Sequence, residues 1–310
     1  MSPSNGNPSL FPIPGISGSE WSPVPDTTGD FPVPLVPKSP VEFREDPARE
    51  PEAPQLESIT PTWVCGLPLA PFTYADTLDW VDHLIARGRP SYFITANLHY
   101  AMLTDRDPCL RELNRRAAFL VADGMPLVWR SSGGSQPLPE RVAGADLIYL
   151  LARRAAENGY RVFLLGGAPA VTPQAAEALQ RHYPDLQIVG IETPMIDAIS
   201  PEEHAALLDR IRATEPDLLL IALGQPKGEL WMADHCEALG VPVSVQLGAS
   251  FDFVAGHITR APRWLQRIGA EWLWRIAQEP GRMIPRYWAD AVFLAKIVLG
   301  LKPDAGSTGS

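Results

Sequence analysis

The chain has 310 residues, 45% of them hydrophobic and 20% charged, which is enough for one large core with appendages. Its formal net charge is −10, and residues 1–58 hold 3 Lys and Arg against 9 Asp and Glu, which argues against a nucleic-acid-binding protein. Cys65, Cys109 and Cys236 are widely spaced and form no CxxC pair, so the sequence predicts a reducing compartment and neither a disulfide scaffold nor a zinc framework.

Residues 1–58 form a segment of distinct composition, with 13 of the 33 prolines and many Ser, Gly and acidic residues. They have no sustained hydrophobic period, so we expect a disordered, Pro-rich acidic tail. The segments "FPIP" and "FPVPLVP" fit either a plain linker or short docking motifs. The N-terminus has no basic stretch followed by an apolar run, so no signal peptide is expected.

From about residue 61, apolar strand-like runs alternate with helical stretches. Six runs read as buried strands: "SYFITANL", "AAFLVAD", "YRVFLLGG", "LQIVGIE", "DLLLIALG" and "PVSVQLG". Such alternation predicts an α/β fold, a mostly parallel Rossmann-like sheet with helices on both faces. We assign residues 59–256 to this core.

Two helices between these strands carry clear start or stop signals. In "GADLIYLLARRAAENG" the residues Leu147, Leu151 and Ala155 share one face, and Asn158-Gly159 ends the helix. The second helix begins at "SPEE", where Ser200 is the expected N-cap and Glu203 completes a capping box around Pro201.

Polar or glycine-rich residues follow five of the predicted strands, where parallel sheets bind ligands. They are Thr95 and Asn97, Asp123-Gly124, Gly166-Gly167, the segment Leu223–Glu229 and the segment Leu247–Asp252. Simpler explanations remain open, since Asp123 could cap a helix that begins near Met125, and the glycine pair could be a turn. Neither GxGxxG nor P-loop spacing occurs, which weakens the alternative of an NAD-dependent dehydrogenase.

The segment "TDRDP" has the DxD form with which many glycosyltransferases bind a divalent cation. Asp105 and Asp107 follow a helical stretch, and Pro108 suggests a helix start, so we interpret both aspartates as helix caps. The six histidines form no HExxH motif or paired cluster. The sequence therefore predicts no metal and no other cofactor.

Residues 257–302 are interpreted as a basic, Trp-rich helical appendage, called the arm below, and residues 303–310 as a second disordered tail. Residues 260–302 carry 8 Lys and Arg against 3 Asp and Glu. On a single helix Trp264, Ile268, Trp272 and Ile276 would form one apolar column beside Arg263, Arg267, Glu271 and Arg275. Such a helix fits packing on the core, binding to a membrane surface, or both. The apolar segment "WADAVFLAKIVLGL" is too short to span a bilayer.

An ordered series of segments gives a more specific signal. "TANLHYAMLTDRDP", "LVADG", "LPERVAGADL", "VFLLGGAP", "LGQPKGELW", "GASFDFVAG", "RAPRWLQ", "EWLWR" and "EPGR" closely resemble the WecG/TagA/CpsF glycosyltransferases, family 26, over about residues 61–288. The resemblance implies an inverting, metal-independent enzyme that moves a sugar from a UDP-sugar to a polyprenyl-pyrophosphate-linked saccharide. Such enzymes build teichoic acid, enterobacterial common antigen or exopolysaccharide at the cytoplasmic face of the membrane, with which they associate peripherally.

The same resemblance implies roles for individual residues. Asp123 matches the catalytic base, Thr95 and Asn97 match active-site residues, and Arg141 matches an active-site arginine, although alone it would read as a surface residue. Substrate-binding positions fall on Gly124, Gly166, Gly167, Gly224, Pro226, Lys227, Glu229, Gly248 and Asp252, and candidates for the acceptor diphosphate are Arg275, Arg282 and Arg286. Inversion needs one carboxylate to deprotonate the acceptor hydroxyl, and Arg141 with backbone amides after Gly166-Gly167 could stabilise the leaving UDP.

The chain departs from the family pattern at two places. The family's "PKQE" reads Pro226-Lys227-Gly228-Glu229, so a side-chain amide is missing unless Gln225 supplies it, and the family's "GYF" is replaced by 194–196, "PMI". The donor sugar is thus open among N-acetylmannosamine, its uronic acid and glucose. The alternative function is a catalytically silent UDP-sugar-binding scaffold of a polysaccharide assembly. The oligomeric state is also open, a homo-oligomer included.

Overall fold

The computed structural model describes residues 59–134 and 136–301, so the two predicted disordered tails, residues 1–58 and 303–310, lie outside the described residues. The strands in the described part are β1 (Thr62–Val64), β2 (Leu67–Leu69), β3 (Tyr92–Ala96), β4 (Leu120–Ala122), β5 (Arg161–Gly166), β6 (Gln187–Glu192), β7 (Leu218–Ala222) and β8 (Val243–Gln246). The six predicted strand runs correspond to β3 through β8.

The helices in the same part of the chain alternate with these strands. They are α1 (Tyr74–Arg87), α2 (Leu98–Arg106), α3 (Pro108–Arg116), α4 (Met125–Ser131), α5 (Gly144–Asn158), α6 (Val171–His182), α7 (Pro201–Ala213), α8 (Lys227–Leu239), α9 (Ser250–Val254), α10 (Arg263–Arg267), α11 (Glu271–Gln278) and α12 (Pro280–Val298).

A six-stranded sheet in the order β4-β3-β8-β7-β5-β6 forms the centre of the fold, and every neighbouring pair of strands is parallel. Strands β3, β4 and β8 are buried along their whole length because helices cover both faces, as their apolar runs predicted. The predicted α/β fold with a mostly parallel sheet is confirmed.

Helices on the two faces of the sheet bury two separate apolar clusters. One face buries residues of α1, α5, α6 and α9, and the other buries residues of α2, α3, α7, α8 and α12. Strands β3 and β8 are neighbours, yet the helices that follow them, α2 and α9, lie on opposite faces. Ligands bind in the crevice that such a reversal opens beyond the carboxyl ends of parallel strands.

The sheet differs from the prediction at its edge. Strand β6 lies at the end of the strand order and none of its residues is buried, so the prediction of a buried strand at "LQIVGIE" was wrong in this respect. An edge strand has a sheet neighbour on one side only. The other edge strand, β4, is buried because the segment after β2 covers it, with the Ala70 N–H donating to the Leu120 carbonyl. A short antiparallel hairpin, β1 with β2, was not predicted.

Both signalled helices form as expected. Gly159 ends α5 in the left-handed conformation, with φ of 72°, and Leu147, Leu151 and Ala155 are buried on one face. Ser200 caps α7, because its hydroxyl oxygen accepts a hydrogen bond from the backbone N–H of Glu203 and the Glu203 carboxylate accepts one from the backbone N–H of Ser200.

Of the two aspartates predicted as helix caps, only Asp107 is one. Its side chain accepts a hydrogen bond from the backbone N–H of Cys109 at 2.8 Å, and Pro108 opens α3. Asp105 instead lies inside the last turn of α2, because that helix continues to Arg106. The prediction for Asp105 was therefore wrong.

The arm consists of three helices, so the predicted single amphipathic helix was wrong. Gly269 interrupts it between α10 and α11 with φ of 69°, a conformation that favours glycine. A Cβ atom at Gly269 would lie 2.5 Å from the Trp129 ring, so close packing also requires glycine here. The interruption breaks the helical periodicity on which the predicted column of Trp264, Ile268 and Trp272 depended.

The last helix, α12, packs on the core with one side and exposes apolar residues on the other. Met283, Phe293 and Ile297 are buried, whereas Ile284, Trp288 and Val298 are exposed. The arm thus packs on the core and also presents an apolar surface. Among the described helices, α12 included, none has the length and apolar character needed to cross a bilayer.

Candidate active site

A cavity of about 750 Å³ lies beyond the carboxyl ends of β3, β4, β7 and β8, where the sheet topology favours a ligand. The arm forms part of its wall. It brings together most of the residues that the sequence singled out: Thr95, Asn97, Asp123, Gly124, Arg141, Gly224, Gly248, Asp252, Arg275, Arg282 and Arg286.

Five predicted substrate-binding residues are not among those that line the cavity: Gly166, Gly167, Pro226, Lys227 and Glu229. A Cβ atom at Gly166 would lie 2.7 Å from the carbonyl oxygen of Ala222, so close strand packing accounts for that glycine. The side chain of Lys227 forms an ion pair with Asp197. Glu229 is fully buried, which raises the pKa of its carboxyl to about 7.

Asp123 follows β4, and its carboxylate reaches the first residue of α5, Gly144. It does not cap α4, because the N-cap residue of that helix is Gly124 and no side chain caps it. The backbone N–H of Gly144 hydrogen-bonds to the Asp123 carboxylate. Protein encloses this carboxylate apart from its side towards the cavity, and burial raises its pKa, while Arg141 and the Gly144 N–H act in the opposite direction. The residue is therefore a carboxylate with a raised pKa in a cavity, which suits proton transfer.

An ion-pair network joins Arg141 to the arm. Glu271 of α11 accepts a hydrogen bond from Arg141 Nη1 at 2.9 Å and lies 3.3 Å from Arg260 Nε, while Arg260 also pairs with Asp146. Burial would favour protonation of Glu271, but the charges of Arg260 and Arg141 outweigh it and lower its pKa. Arg141 is thus held in the cavity wall and is not an ordinary surface arginine.

Thr95 and Asn97 connect the end of β3 to other strand ends at the cavity, Thr95 to the neighbouring β8 and Asn97 to the segment after β7. The Thr95 hydroxyl donates to the backbone carbonyl of Gln246 at 3.0 Å, which ties the end of β3 to β8. Asn97 caps α2 through its oxygen, which accepts from Tyr100 N–H, and its amide nitrogen donates to Gln225 Oε1 at 3.0 Å. Both side chains therefore hold the geometry of the strand ends.

The arm contributes four arginines to the cavity, namely Arg260 of the ion-pair network and, in addition, Arg275, Arg282 and Arg286. Arg275 lies over the Phe253 ring, with its guanidinium carbon 5.5 Å from the ring centroid. Burial lowers the pKa of Arg286, and the nearby positive charges of Arg275 and Arg282 lower it further. Tyr287 and Asp290 act in the opposite direction and raise this pKa. A group of cations that disfavour one another's charge is suited to a multivalent anion.

A comparison with known protein families bears directly on this cavity. The model of the Glycosyl transferase WecG/TagA/CpsF family matches residues 62–304, which include the whole described sheet and the arm. The chain belongs to this family. It is therefore a glycosyltransferase of a family that acts in cell-surface polymer synthesis, and the cavity is its candidate active site.

Several cavity residues of this glycosyltransferase were missed from sequence. Gln246, Arg260 and the pair of His99 with Asp290 line the cavity, and His99 Nδ1 lies 2.8 Å from Asp290 Oδ1. Gln246 was covered only by the run "PVSVQLG", read as a buried strand, and His99 and Asp290 are 191 positions apart. "RAPRW" and "EWLWR" were noted as family segments, but their pairing through Arg260 and Glu271 depends on tertiary packing.

No cluster of metal-ligating side chains is found in the described part of the chain, that is, no three of His, Cys, Asp and Glu grouped to hold an ion. Asp105 and Asp107 of the DxD-like segment are not among the residues lining the cavity. Positive charge in the cavity wall comes from arginine side chains, namely Arg141, Arg260, Arg275, Arg282 and Arg286.

Proposed function

We propose that this protein is an inverting, metal-independent glycosyltransferase that moves a hexose from a UDP-sugar to a polyprenyl-pyrophosphate-linked saccharide. The candidate donors are UDP-linked N-acetylmannosamine, its uronic acid and glucose. The observation that carries the proposal is one cavity that combines a carboxylate of raised pKa, Asp123, with arginines of both the core and the arm. Each group has a task in this reaction.

Asp123 is the proposed general base. It accepts the proton of the acceptor hydroxyl while the hydroxyl oxygen bonds to the anomeric carbon from the face opposite UDP, so the anomeric configuration inverts. A carboxylate with a raised pKa is a stronger base than an ordinary aspartate. Its hydrogen bond to the first turn of α5 fixes the direction in which it can act.

Arginine side chains are proposed to stabilise the negative charges of the leaving UDP and of the acceptor diphosphate. As the bond from the anomeric carbon to UDP breaks, negative charge grows on the leaving diphosphate. Arg141 lines the same cavity and is the cation that lowers the pKa of Asp123 most, so it is the proposed partner of that charge. Arg275, Arg282 and Arg286 would bind the diphosphate of the lipid-linked acceptor. A bound diphosphate would relieve the repulsion that lowers the pKa of Arg286.

The exposed side of the arm supports work at a membrane surface, on the cytoplasmic side that UDP-sugars require. Trp264 is 64% exposed and Trp288 is 73% exposed, and tryptophan favours the bilayer interface. Basic residues beside them would add about 1 kcal/mol each near an anionic surface. A peripheral position would bring the polyprenyl acceptor to the cavity.

A UDP-release assay over a panel of UDP-sugars with short-chain polyprenyl-pyrophosphate acceptors tests the proposal. We expect one donor to be turned over, and Asp123→Asn to lower turnover roughly 100- to 10,000-fold while UDP still binds. Binding without transfer by the wild-type protein would favour the silent-scaffold alternative. Unchanged turnover in the Asp123→Asn variant would reject this residue as the base.

A further inference from the structure

The cavity wall contains a side-chain amide that no motif indicated. Gln246 is the last residue of β8, lines the cavity and is 2% exposed. Its Oε1 accepts a hydrogen bond from the backbone N–H of Leu223 at 3.4 Å, which sets the orientation of the amide. The amide nitrogen Nε2 has no hydrogen-bond partner among the described residues. Nearly all buried donors in native proteins are paired, so this one calls for a partner.

The amide of Gln246 occupies the space of a side chain at position 228. A Cβ atom placed on Gly228 would lie 2.4 Å from Gln246 Nε2 and 2.5 Å from its Cδ, both too close for real atoms. The family pattern that this chain resembles has glutamine at position 228. Positions 228 and 246 therefore compete for one space, and in this chain the strand supplies the amide that the helix lacks.

Gln225 is a weaker replacement for the missing amide. Its Oε1 accepts from Asn97 Nδ2 at 3.0 Å, and Asn97 in turn caps α2 through its own oxygen. Turning the Gln225 amide towards a ligand would break a contact that holds two elements together. Gln246 needs no such rearrangement, because its Nε2 has no partner to lose while its Oε1 keeps the hydrogen bond from the Leu223 N–H.

We propose that Gln246 is a specificity-determining residue, whose Nε2–H donates a hydrogen bond to an oxygen substituent of the transferred hexose. This inference rests on the proposed function. Strand β8 lies two strands from β4, which precedes Asp123, a separation of about 10 Å. If the anomeric carbon of the hexose faces Asp123, a substituent on the far side of the sugar ring spans this distance together with the side chains of Asp123 and Gln246.

The donor sugar fits this amide better than the acceptor sugar. Gln246 is buried at the sheet end of the cavity, whereas the arm, with Trp288 and its exposed apolar surface, lies where a lipid-linked acceptor would enter. An amide N–H pairs with a hydroxyl, an acetamido carbonyl or a carboxylate oxygen. Recognition of one of these substituents would therefore discriminate among UDP-hexoses.

The test measures binding of UDP and of UDP-sugars by calorimetry, without acceptor. We expect Gln246→Ala and the more volume-conserving Gln246→Leu to weaken the preferred UDP-sugar about tenfold, the value of one hydrogen bond, and to leave UDP affinity unchanged. Gly228→Gln alone should lower the melting temperature because of the clash. The double variant Gly228→Gln with Gln246→Ala relieves the clash and should recover most of the sugar affinity.

Gln180→Ala is the matched control, since Gln180 lies on α6, its Nε2 donates to the backbone carbonyl of Leu186, and it does not line the cavity. The proposal is overturned if the Gln246 variants keep full UDP-sugar affinity or if they weaken UDP and UDP-sugar alike. A wild-type protein that binds UDP-sugar but transfers none would contradict the proposed function instead, and the binding comparison would still decide the role of Gln246.

Discussion

At the residue scale, the charge state of Asp123 depends on neighbours from three parts of the chain. Burial raises its pKa most, Arg141 and the Gly144 N–H lower it, and Glu271 of the arm raises it. Glu271 also neutralises Arg141 and Arg260, both of which favour ionised Asp123. The arm therefore acts on the proposed base through charge, even though Glu271 is 148 positions away in the sequence.

This balance predicts the pH dependence of transfer. The base must be deprotonated, so kcat/KM should fall as the pH drops through the pKa of Asp123, and a raised pKa moves this fall to a higher pH than an ordinary aspartate with a pKa near 3.9 would give. Glu271→Gln removes a negative charge and frees two cations, so the fall should move to lower pH. A pH–rate profile of both proteins measures the shift.

Glu271→Gln should also cost stability, because Arg141 and Arg260 lose the partner of a mostly buried ion pair, a loss on the order of 3 kcal/mol. Profiles are therefore compared at a temperature where circular dichroism shows the variant folded. Glu112→Gln on α3 is the control, since Glu112 forms an exposed pair with Arg115. If kcat/KM of folded Glu271→Gln protein falls at the same pH as that of the wild-type protein, the proposed effect of Glu271 on the pKa of Asp123 is contradicted.

At the element scale, the arm has two surfaces with different tasks. Phe293 and Ile297 of α12 belong to the apolar cluster on the α2 side of the sheet, and Asp290 pairs with His99 of α2. Trp264, Ile268 and Trp288 are exposed instead. Packing holds the arm's arginines at the cavity, and the exposed surface remains for a second partner, which we propose is the membrane.

Variants on the two surfaces should separate these tasks. Trp264→Ser with Trp288→Ser should strongly reduce sedimentation with anionic liposomes and leave the melting temperature within a few degrees of wild type. Trp63→Ser is the matched control, because Trp63 is 51% exposed on β1, outside the arm. Phe293→Ala should lower the free energy of unfolding by about 3–5 kcal/mol. If the Trp264→Ser, Trp288→Ser double variant and the Trp63→Ser control both bind liposomes as strongly as the wild-type protein, the arm is only a packing element.

At the scale of the whole molecule, charge is divided unevenly. The chain has a net charge of −10, yet residues 260–302 carry 8 basic against 3 acidic residues, and arginines from core and arm face one cavity. An acidic body with a basic arm would orient the cavity towards an anionic membrane surface. In the proposed reaction the same arginines would provide the positive charge for which a divalent cation is the alternative source.

Transfer should therefore not depend on a divalent ion. Protein treated with EDTA and assayed in metal-free buffer is expected to keep its rate within about twofold, because arginine side chains are part of the chain and are not removed by a chelator. The assay compares treated and untreated protein, with and without added Mg²⁺ or Mn²⁺. Activity that disappears on treatment and returns with either ion would contradict the proposed chemistry.

Local signals in the sequence determined much of the fold. Apolar runs long enough for one strand each, and caps such as Ser200 and Gly159, depend on neighbours a few residues away, so β3 through β8, α5 and α7 were predictable. The resemblance of ordered segments determined the family and the candidate residues Asp123 and Arg141. The break at Gly269 was missed because helical periodicity continues across it, and its packing against the Trp129 ring and Met125 appears only in the tertiary structure.

Only the tertiary structure decided which side chains meet. Strand order brings β8 between β3 and β7, which sets Gln246 beside Thr95 and Gly228, and docking of the arm pairs Glu271 with Arg141. These contacts join residues 18 to 151 positions apart, and a periodic pattern carries no information at such separations. The sequence thus determined the sheet, its helices and the chemistry of the residues available, and packing determined which charges and amides act on one another.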